Sequence, residues 1–494
     1  MKSTTNFVAV DLGAASGRVV AGCWNGRQFE LKELHRFPNG YVKREGRLKW
    51  DVRRIWSEIR TGLSKYSAHC SVPLAGISVD AWGVDFALLD TSGELLDDPF
   101  HYRDSRTDGV PQRVFAQVPE REIFQQTGIQ TMQINTLFQL FSMVESGDKN
   151  LARAGTLLMI PDLFHYWLSG EISVEFTEAS TTQMLLCRER SWAGELLGKL
   201  GIPGKIFRPI IHPATIMGAA KANLLEDCGL RGPVPIIAAG SHDTASAVAA
   251  IPHMDEQSAF ICSGTWSLMG VESSQPVTSE EALALHFTNE GGVSGDVLLL
   301  RNISGLWVLQ ECVRGWRLQG REYSWDEVMR MADEAMPFRS LVDVDAGEFL
   351  APKDMPGAIR EHCRRSGQPE PHDDGAIARC CLESLALKYR VALEALESLT
   401  GRDLKTIRMV GGGSQNRLLC QLTADVCQRV VIAGPVEASA LGNVIVQAVG
   451  TGCLASIREG RESVALSDDL VTYEPRPVAG LDNAYDRYCG LETA

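Results

Sequence analysis

Two short stretches about half a chain apart share one design, and that repetition constrains the fold more than any other feature of the sequence. Phe7 to Val10 is apolar, Asp11-Leu12-Gly13-Ala14-Ala15-Ser16-Gly17 gathers small residues around one aspartate, and Arg18 to Gly22 resumes as a strand. Further on, Phe260-Ile261-Cys262 is apolar, Ser263-Gly264-Thr265 is small and polar, and Trp266 to Gly270 resumes. Each reads as two strands joined by a turn of small residues. Finding that unit twice predicts duplicated α/β halves facing one cleft.

The length agrees with duplication. A chain of 494 residues, 45% of them apolar, is too long for one core and rich enough for two or three. The polar, helix-ending break Pro252-His253-Met254-Asp255-Glu256 divides it into residues 1–251 and 252–455, with a polar C-terminal appendage at 456–494. A net charge of −14 argues against non-specific attraction to nucleic acid or anionic membrane. Met1 to Asn6 carries no apolar leader core, and nowhere do about eighteen apolar residues run together, so a cytoplasmic protein is expected. The 13 cysteines are scattered without a CxxC pair and read as reduced, partly buried small hydrophobes. Pairing of Cys70 with Cys228 or of Cys363 with Cys380 stays open, as does the oligomeric state.

Between the hairpins, Leu74 to Asp90 reads as two strands around a turn. Gly155 to Gly170 reads as a buried run followed by a helix stopping at Gly170, and Gly232 to Ile251 as strand, polar turn and small-residue helix. In the second half, the charged stretch Arg317 to Asp374 holds "APKDMPG" and "SGQPEPHDD" as expected surface loops. Ala376 to Gly401 has the spacing of a long amphipathic helix, followed by a strand, the triplet Gly411-Gly412-Gly413, a helix, and a last small-residue helix.

A turn of small residues lets successive backbone amides approach an anion, which suits Gly13 to Gly17 to phosphate. Asp11 would repel phosphate unless a cation lay between them, so it reads as a carboxylate for hydrated Mg²⁺; alternatively it only bonds its own turn. The triplet Gly411 to Gly413 offers a close-approach surface for a nucleotide, and no GxxxxGK[ST] stretch is present. Asp243, just past a strand end, suits a base that takes a proton from a substrate hydroxyl, or else an N-cap. His242 is a second candidate base. Trp82, Asp85, Phe86, Arg103 and Asp104 suit a polyol site, or a core with a surface ion pair.

Taken in order, "AVDLGAASGRV", "DAWGVDFALLD", "YRDSRTDG", "INTLFQL", "MIPDLFHYWLSG", "TEASTTQML", "SHDTASAV", "SGTWSLMG", "TNEGG", "RNISGLWVLQECVR", "VGGGSQN" and "AGPVEASALGN" resemble the FGGY carbohydrate kinases. The resemblance covers nearly the whole chain. It implies two duplicated ribonuclease-H-like domains of the actin/hexokinase/heat-shock chaperone superfold, with a cleft between them that closes on the sugar. No "NQR" block of the glycerol type is found, and "DAWGVDF" stands where a "GQMHG" block would mark the xylulose type.

By that resemblance, Ala14, Ala15, Ser16, Gly17 and Arg18 form a phosphate loop, with Asp11 near Mg²⁺. Asp243 is the catalytic base, and Gly83, His242, Asp243, Thr244 and Asn302 contact the sugar. Thr265, Gln310 and Gly412 contact ATP. Ala15 stands where many relatives carry a hydroxyl residue. The implied reaction moves the γ-phosphoryl group of ATP to a ketose, L-rhamnulose, with L-fuculose as the sibling alternative. A nucleotide switch of the same fold would use the hairpins without a sugar base. A carbohydrate-binding protein would leave three glycine-rich turns without a role.

Overall fold

The computed structural model describes residues 4–350, 352–466 and 470–492. The chain divides into two compact units: Met1–His253 with Glu272–Leu299 and Ala438–Ser467, and Met254–Val271 with Leu300–Glu437 and Asp468–Ala494.

In the first unit, strands β1 (Thr5–Leu12), β2 (Ser16–Trp24) and β3 (Phe29–Pro38) form an antiparallel meander. β4 (Leu74–Ala81) then pairs parallel to β1, and β5 (Ile216–Ala219) and β6 (Pro235–Ile237) complete the order β5-β6-β4-β1-β2-β3. A parallel pair needs a crossover, and the helix Val52–His69 supplies it between β3 and β4. Phe7 to Leu12 are all buried, as a central strand covered on both faces requires, whereas β3 at the edge is largely polar and accessible. The helix Ala438–Gly450 lies on this sheet. Gln447 donates to the Val8 carbonyl at 3.0 Å, and a side chain at Gly22 would strike Val444.

The second unit repeats the plan. β7 (Ser258–Ser263) and β8 (Ser267–Ser273) form an antiparallel hairpin, β9 (Val297–Ile303) lies beside β8, and β10 (Thr406–Val410) pairs parallel to β7. β11 (Val430–Ala433) runs parallel to β10, and β12 (Val471–Tyr473) is antiparallel at one edge; the strand Thr288–Gly291 is a seventh strand beyond β9, and the other six, β9-β8-β7-β10-β11-β12, match β3-β2-β1-β4-β6-β5.

The crossover helix of the second unit, Asp374–Thr400, ends at Gly401 in the left-handed conformation, the expected glycine stop. It is less amphipathic than its spacing suggested, because buried residues occur all round it, including Lys388 and Glu383. Lys388 pairs inside with Asp343 at 3.0 Å and Asp345 at 3.1 Å. The stretch "APKDMPG" is a loop only in part: Met355–Arg365 is a helix with Pro356 in its first turn, where the missing amide is tolerated, and Met355 and Pro356 are buried. Ala351 lies outside the described residues. Among the described residues no disulfide joins the cysteines.

Candidate active site

The site in the first unit starts from strand register. Asp11, the penultimate residue of β1, lies opposite Arg18 on β2 and opposite Asp80 on β4. Arg18 donates to Asp11 at 2.5 Å, with both side chains largely buried. Asp80 is fully buried and accepts from Asn443 at 2.6 Å, but its Oδ1 has no hydrogen-bond partner. Burial first, and then the like charge of Asp11, push the Asp80 carboxyl well above its ordinary range.

The turn after Asp11 is tight. Gly13 donates to the Ser16 carbonyl at 3.0 Å, Asn39 donates from its backbone to Ala15 and from its side chain to Gly13, and Ser16, Gly17 and Arg18 already belong to β2. The Ala14 and Ala15 amides bond no other described residue, and Ala15 is exposed. At Gly17 a Cβ would stand 2.3 Å from the Phe37 ring, so its glycine serves packing.

A second loop converges on the same strand ends. Ala81 donates to the Ser241 carbonyl at 2.8 Å and pairs with His242. Ser241 and His242 donate in turn to Glu175 and to the Thr177 hydroxyl. His242, not Asp243, occupies the N-cap of the helix Asp243–Ala249, and its side chain makes no capping bond. The half-buried Asp243 carboxylate accepts from the Thr244 hydroxyl at 3.2 Å and lies 3.5 Å from His242 Nε2. Burial pushes Asp243 up to about 6 against the opposing pull of His242. Gly83 follows β4 by two residues, and a Cβ there would crowd Thr181 at 3.0 Å.

The polyol candidates resolve toward the core. Trp82 and Phe86 are buried, and Asp85 is a fully buried acceptor for Trp50, Trp82, Gln139 and the Tyr102 amide. Burial nonetheless pushes Asp85 up to about 6. Asp104 is buried as well and accepts from the Leu48 amide and from Arg47.

In the second unit, Thr265 at the tip of the β7–β8 hairpin donates to Gln310 at 3.1 Å. The helix Trp307–Leu318, which carries Gln310, is fastened to that turn by backbone bonds from Leu306 to Gly264 and from Trp307 to Thr265. Of the glycine triplet, Gly411 has φ +83° and packs on the Ser263 carbonyl, and a Cβ at Gly413 would stand 2.0 Å from Ser263 Oγ. Gly412 is different. A Cβ there meets nothing within 4 Å, so no protein contact requires that glycine. Asn302 lies half-buried on β9.

Two domains of one sequence family match the chain. Residues 6–250 match the N-terminal domain, and residues 259–451 the C-terminal domain, of the FGGY family of carbohydrate kinases. The chain belongs to the FGGY family. An FGGY member is a carbohydrate kinase, with a sugar and ATP as its substrates. The chain is 43% identical over 480 residues to a rhamnulokinase of Bacteroides thetaiotaomicron, covering 97% of this chain and 98% of that one. It is 41% identical over 489 residues to a rhamnulokinase of Pectobacterium carotovorum, covering 98% and 96%. Among solved structures, a xylulose kinase from Lactobacillus acidophilus superposes with a TM-score of 0.80 at 18% identity, over 99% of this chain and 98% of that one. A Plasmodium falciparum glycerol kinase with ADP gives 0.77 at 13%, over 99% and 97%. These likenesses show the mixed α/β FGGY fold. Among the described residues no helix is long and apolar enough to cross a membrane.

Reading the sequence missed several residues that the FGGY fold places beside Asp11 and Asp243. Asp80 stands at a strand end as Asp11 does, and that position was its available signal. Glu175, Thr177, Glu290 and Asn443 lie far away in sequence and come close only through tertiary structure.

Proposed function

We propose that the chain transfers the γ-phosphoryl group of ATP to the 1-hydroxyl of L-rhamnulose, giving L-rhamnulose 1-phosphate and ADP, in a cytoplasmic setting. The observation that carries this reading is the roughly 40% identity to rhamnulokinases over nearly the full length of both chains. Asp243 is the base. Its carboxylate has one hydroxyl donor and remains half-exposed, so it can accept the proton of an incoming hydroxyl, and an upward-shifted carboxylate is a stronger base than an ordinary one. Gly83, His242, Thr244 and Asn302 orient the sugar. The Ala14 and Ala15 amides, with Ser16, Gly17 and Arg18 at the start of β2, cradle phosphate, and Thr265, Gln310 and Gly412 receive the nucleotide.

Mg²⁺ fits the residues around Asp11. Asp11 and Asp80 are hard oxygen donors in register on neighbouring strands, and Asp80 Oδ1 is buried without a partner. Among the described residues no three His, Cys, Asp or Glu side chains gather to hold a metal. Asp11 would hold the ion, with the Asp80 carboxyl beside it and water and phosphate oxygens filling the remaining positions, the usual manner for Mg²⁺. When bound, the ion offsets charge on the transferring group.

The test is ADP release with Mg-ATP and a panel of L-rhamnulose, L-fuculose, D-xylulose and glycerol, with Asp243→Asn as the blank. Turnover confined to L-rhamnulose and lost in the variant is the expected result. Turnover on another sugar moves the substrate, and ATP binding without sugar-dependent turnover points to a nucleotide switch.

A further inference from the structure

We infer that Glu290 is a positioning residue for phosphoryl transfer, holding His242 as an imidazolium that in turn keeps the Asp243 carboxylate ionised. The inference rests on the reading of Asp243 as the base. His242 lies between two carboxylates at ion-pair distance: Nδ1 is 3.2 Å from Glu290 Oε2, both atoms buried and outside hydrogen-bond geometry, and Nε2 is 3.5 Å from Asp243 Oδ1. The His242 and Glu290 side chains are only 8% and 6% exposed, whereas Asp243 is 30% exposed. The chain of charge therefore runs from a buried acid, through a buried ring, to the accessible oxygen that would meet a substrate.

The setting of Glu290 supports a built contact. It lies on the strand Thr288–Gly291, within "TNEGG", and its neighbours fix that strand. Asn289 braces the Gly128 and Val277 carbonyls and the Val277 amide, and the Gly291 amide donates to Ser180. A Cβ at Gly291 would strike the Phe176 ring at 2.6 Å, so the strand sits close against the helix Phe176–Ser180.

Other charged groups face the pair, and they do not replace Glu290. Around the imidazole these are Asp243 and Glu175; around Asp243 they are His242, Asp11, Asp80 and Glu178, with the Thr244 hydroxyl. Burial pushes Glu175 up to about 7 and Glu178 well above its ordinary range, which favours their neutral forms. Burial also opposes a charged His242, yet Glu290 first and Asp243 next outweigh it, and the ring is raised above its ordinary value. His242 is in turn the group that pulls Asp243 down most strongly. Neutralising Glu290 removes the main support of the cation, and a buried ring without it tends to lose its proton. Asp243 then keeps its proton to higher pH.

The experiment compares wild type, Glu290→Gln and Glu290→Asp in two ways. The first is the pH profile of kcat/KM for L-rhamnulose. In Glu290→Gln the acid limb is expected to move up by about one pH unit, which is about tenfold lower kcat/KM on the acid side, with convergence toward wild type at high pH. Glu290→Asp keeps the charge and is expected to restore most of the limb. The second is an NMR titration of labelled histidine, with His242 assigned through His242→Gln, in which Glu290→Gln lowers the His242 pKa. An unmoved His242 titration, or a rate lost equally at every pH, overturns the proposal. If wild type ignores L-rhamnulose, the substrate reading fails while the titration still decides the ion pair.

Discussion

Asn443 donates to the Asp80 carboxyl at 2.6 Å, and this is the hydrogen bond that serves the fully buried carboxyl beside Asp11. An acid whose folded pKa lies well above the unfolded value of 3.8 contributes its full stability below that pH and loses it as pH rises through the folded pKa. Asp80→Asn keeps the shape without the titration. The melting temperature of this variant relative to wild type is expected to climb steadily from pH 4 to pH 8. Parallel curves would show that Asp80 does not hold a proton in the folded state. Asn443→Ala, which leaves a buried acceptor without its donor, is expected to cost about 1–3 kcal/mol by urea unfolding.

If Asp243 is the base, as proposed, the pH dependence of the reaction follows from its carboxyl. A base pushed up to about 6 is ionised above that pH, so kcat/KM is expected to be flat above about pH 6 and to fall tenfold per unit below it. Asp243→Asn is expected to lower kcat by at least about 100-fold. Its ATP affinity and melting temperature stay near wild type. Turnover within a few-fold of wild type removes Asp243 from the role.

With Gly412 facing the nucleotide, as proposed, Gly412 and Gly413 would separate ligand space from packing. Gly412→Ala meets no protein atom within 4 Å, so stability is expected to change by less than about 0.5 kcal/mol while KM for ATP rises about fivefold. Gly413→Ala drives a methyl to 2.0 Å from Ser263 Oγ and is expected to cost about 1–3 kcal/mol. Equal effects of both substitutions on thermal melting and on nucleotide kinetics would contradict this division.

Metal removal is expected to stop turnover. Asp11→Asn is expected to raise the Mg²⁺ concentration for half-maximal rate by about tenfold, because one anionic oxygen donor is gone. An unchanged metal titration in this variant would take Asp11 out of the metal site.

The sequence revealed local patterns better than distant convergence. The hairpins at Asp11–Arg18 and Ser263–Ser267 were legible because a turn of small residues between apolar runs is a local signal, and so was the glycine stop of Asp374–Thr400. The helix at Met355 was not, since two prolines and an aspartate within seven residues read as a loop when the burial of Met355 and Pro356 cannot be seen. Asp243 as N-cap was an equally local guess, and the backbone places the cap one residue earlier, at His242. Glu290 and Asn443 fall inside the stretches "TNEGG" and "AGPVEASALGN", but nothing local points to their partners. Their partners lie 48 and 363 positions away, at His242 and Asp80, and only tertiary packing of helices and loops on the strands brings them together.

The helix Ala438–Gly450 has a consequence for how the protein is made. It covers the Val8 carbonyl and approaches so near that a methyl at Gly442 would overlap the Ser246 carbonyl oxygen, yet it is encoded after almost everything else in its own unit. During synthesis on the ribosome, β1 and β4 leave the exit tunnel long before Asn443 and Gln447 exist. Until those residues emerge, the Asp80 carboxyl lacks its Asn443 donor and one face of the sheet lacks the helix that covers it, so the first unit cannot reach its finished form before Gln447 has left the tunnel.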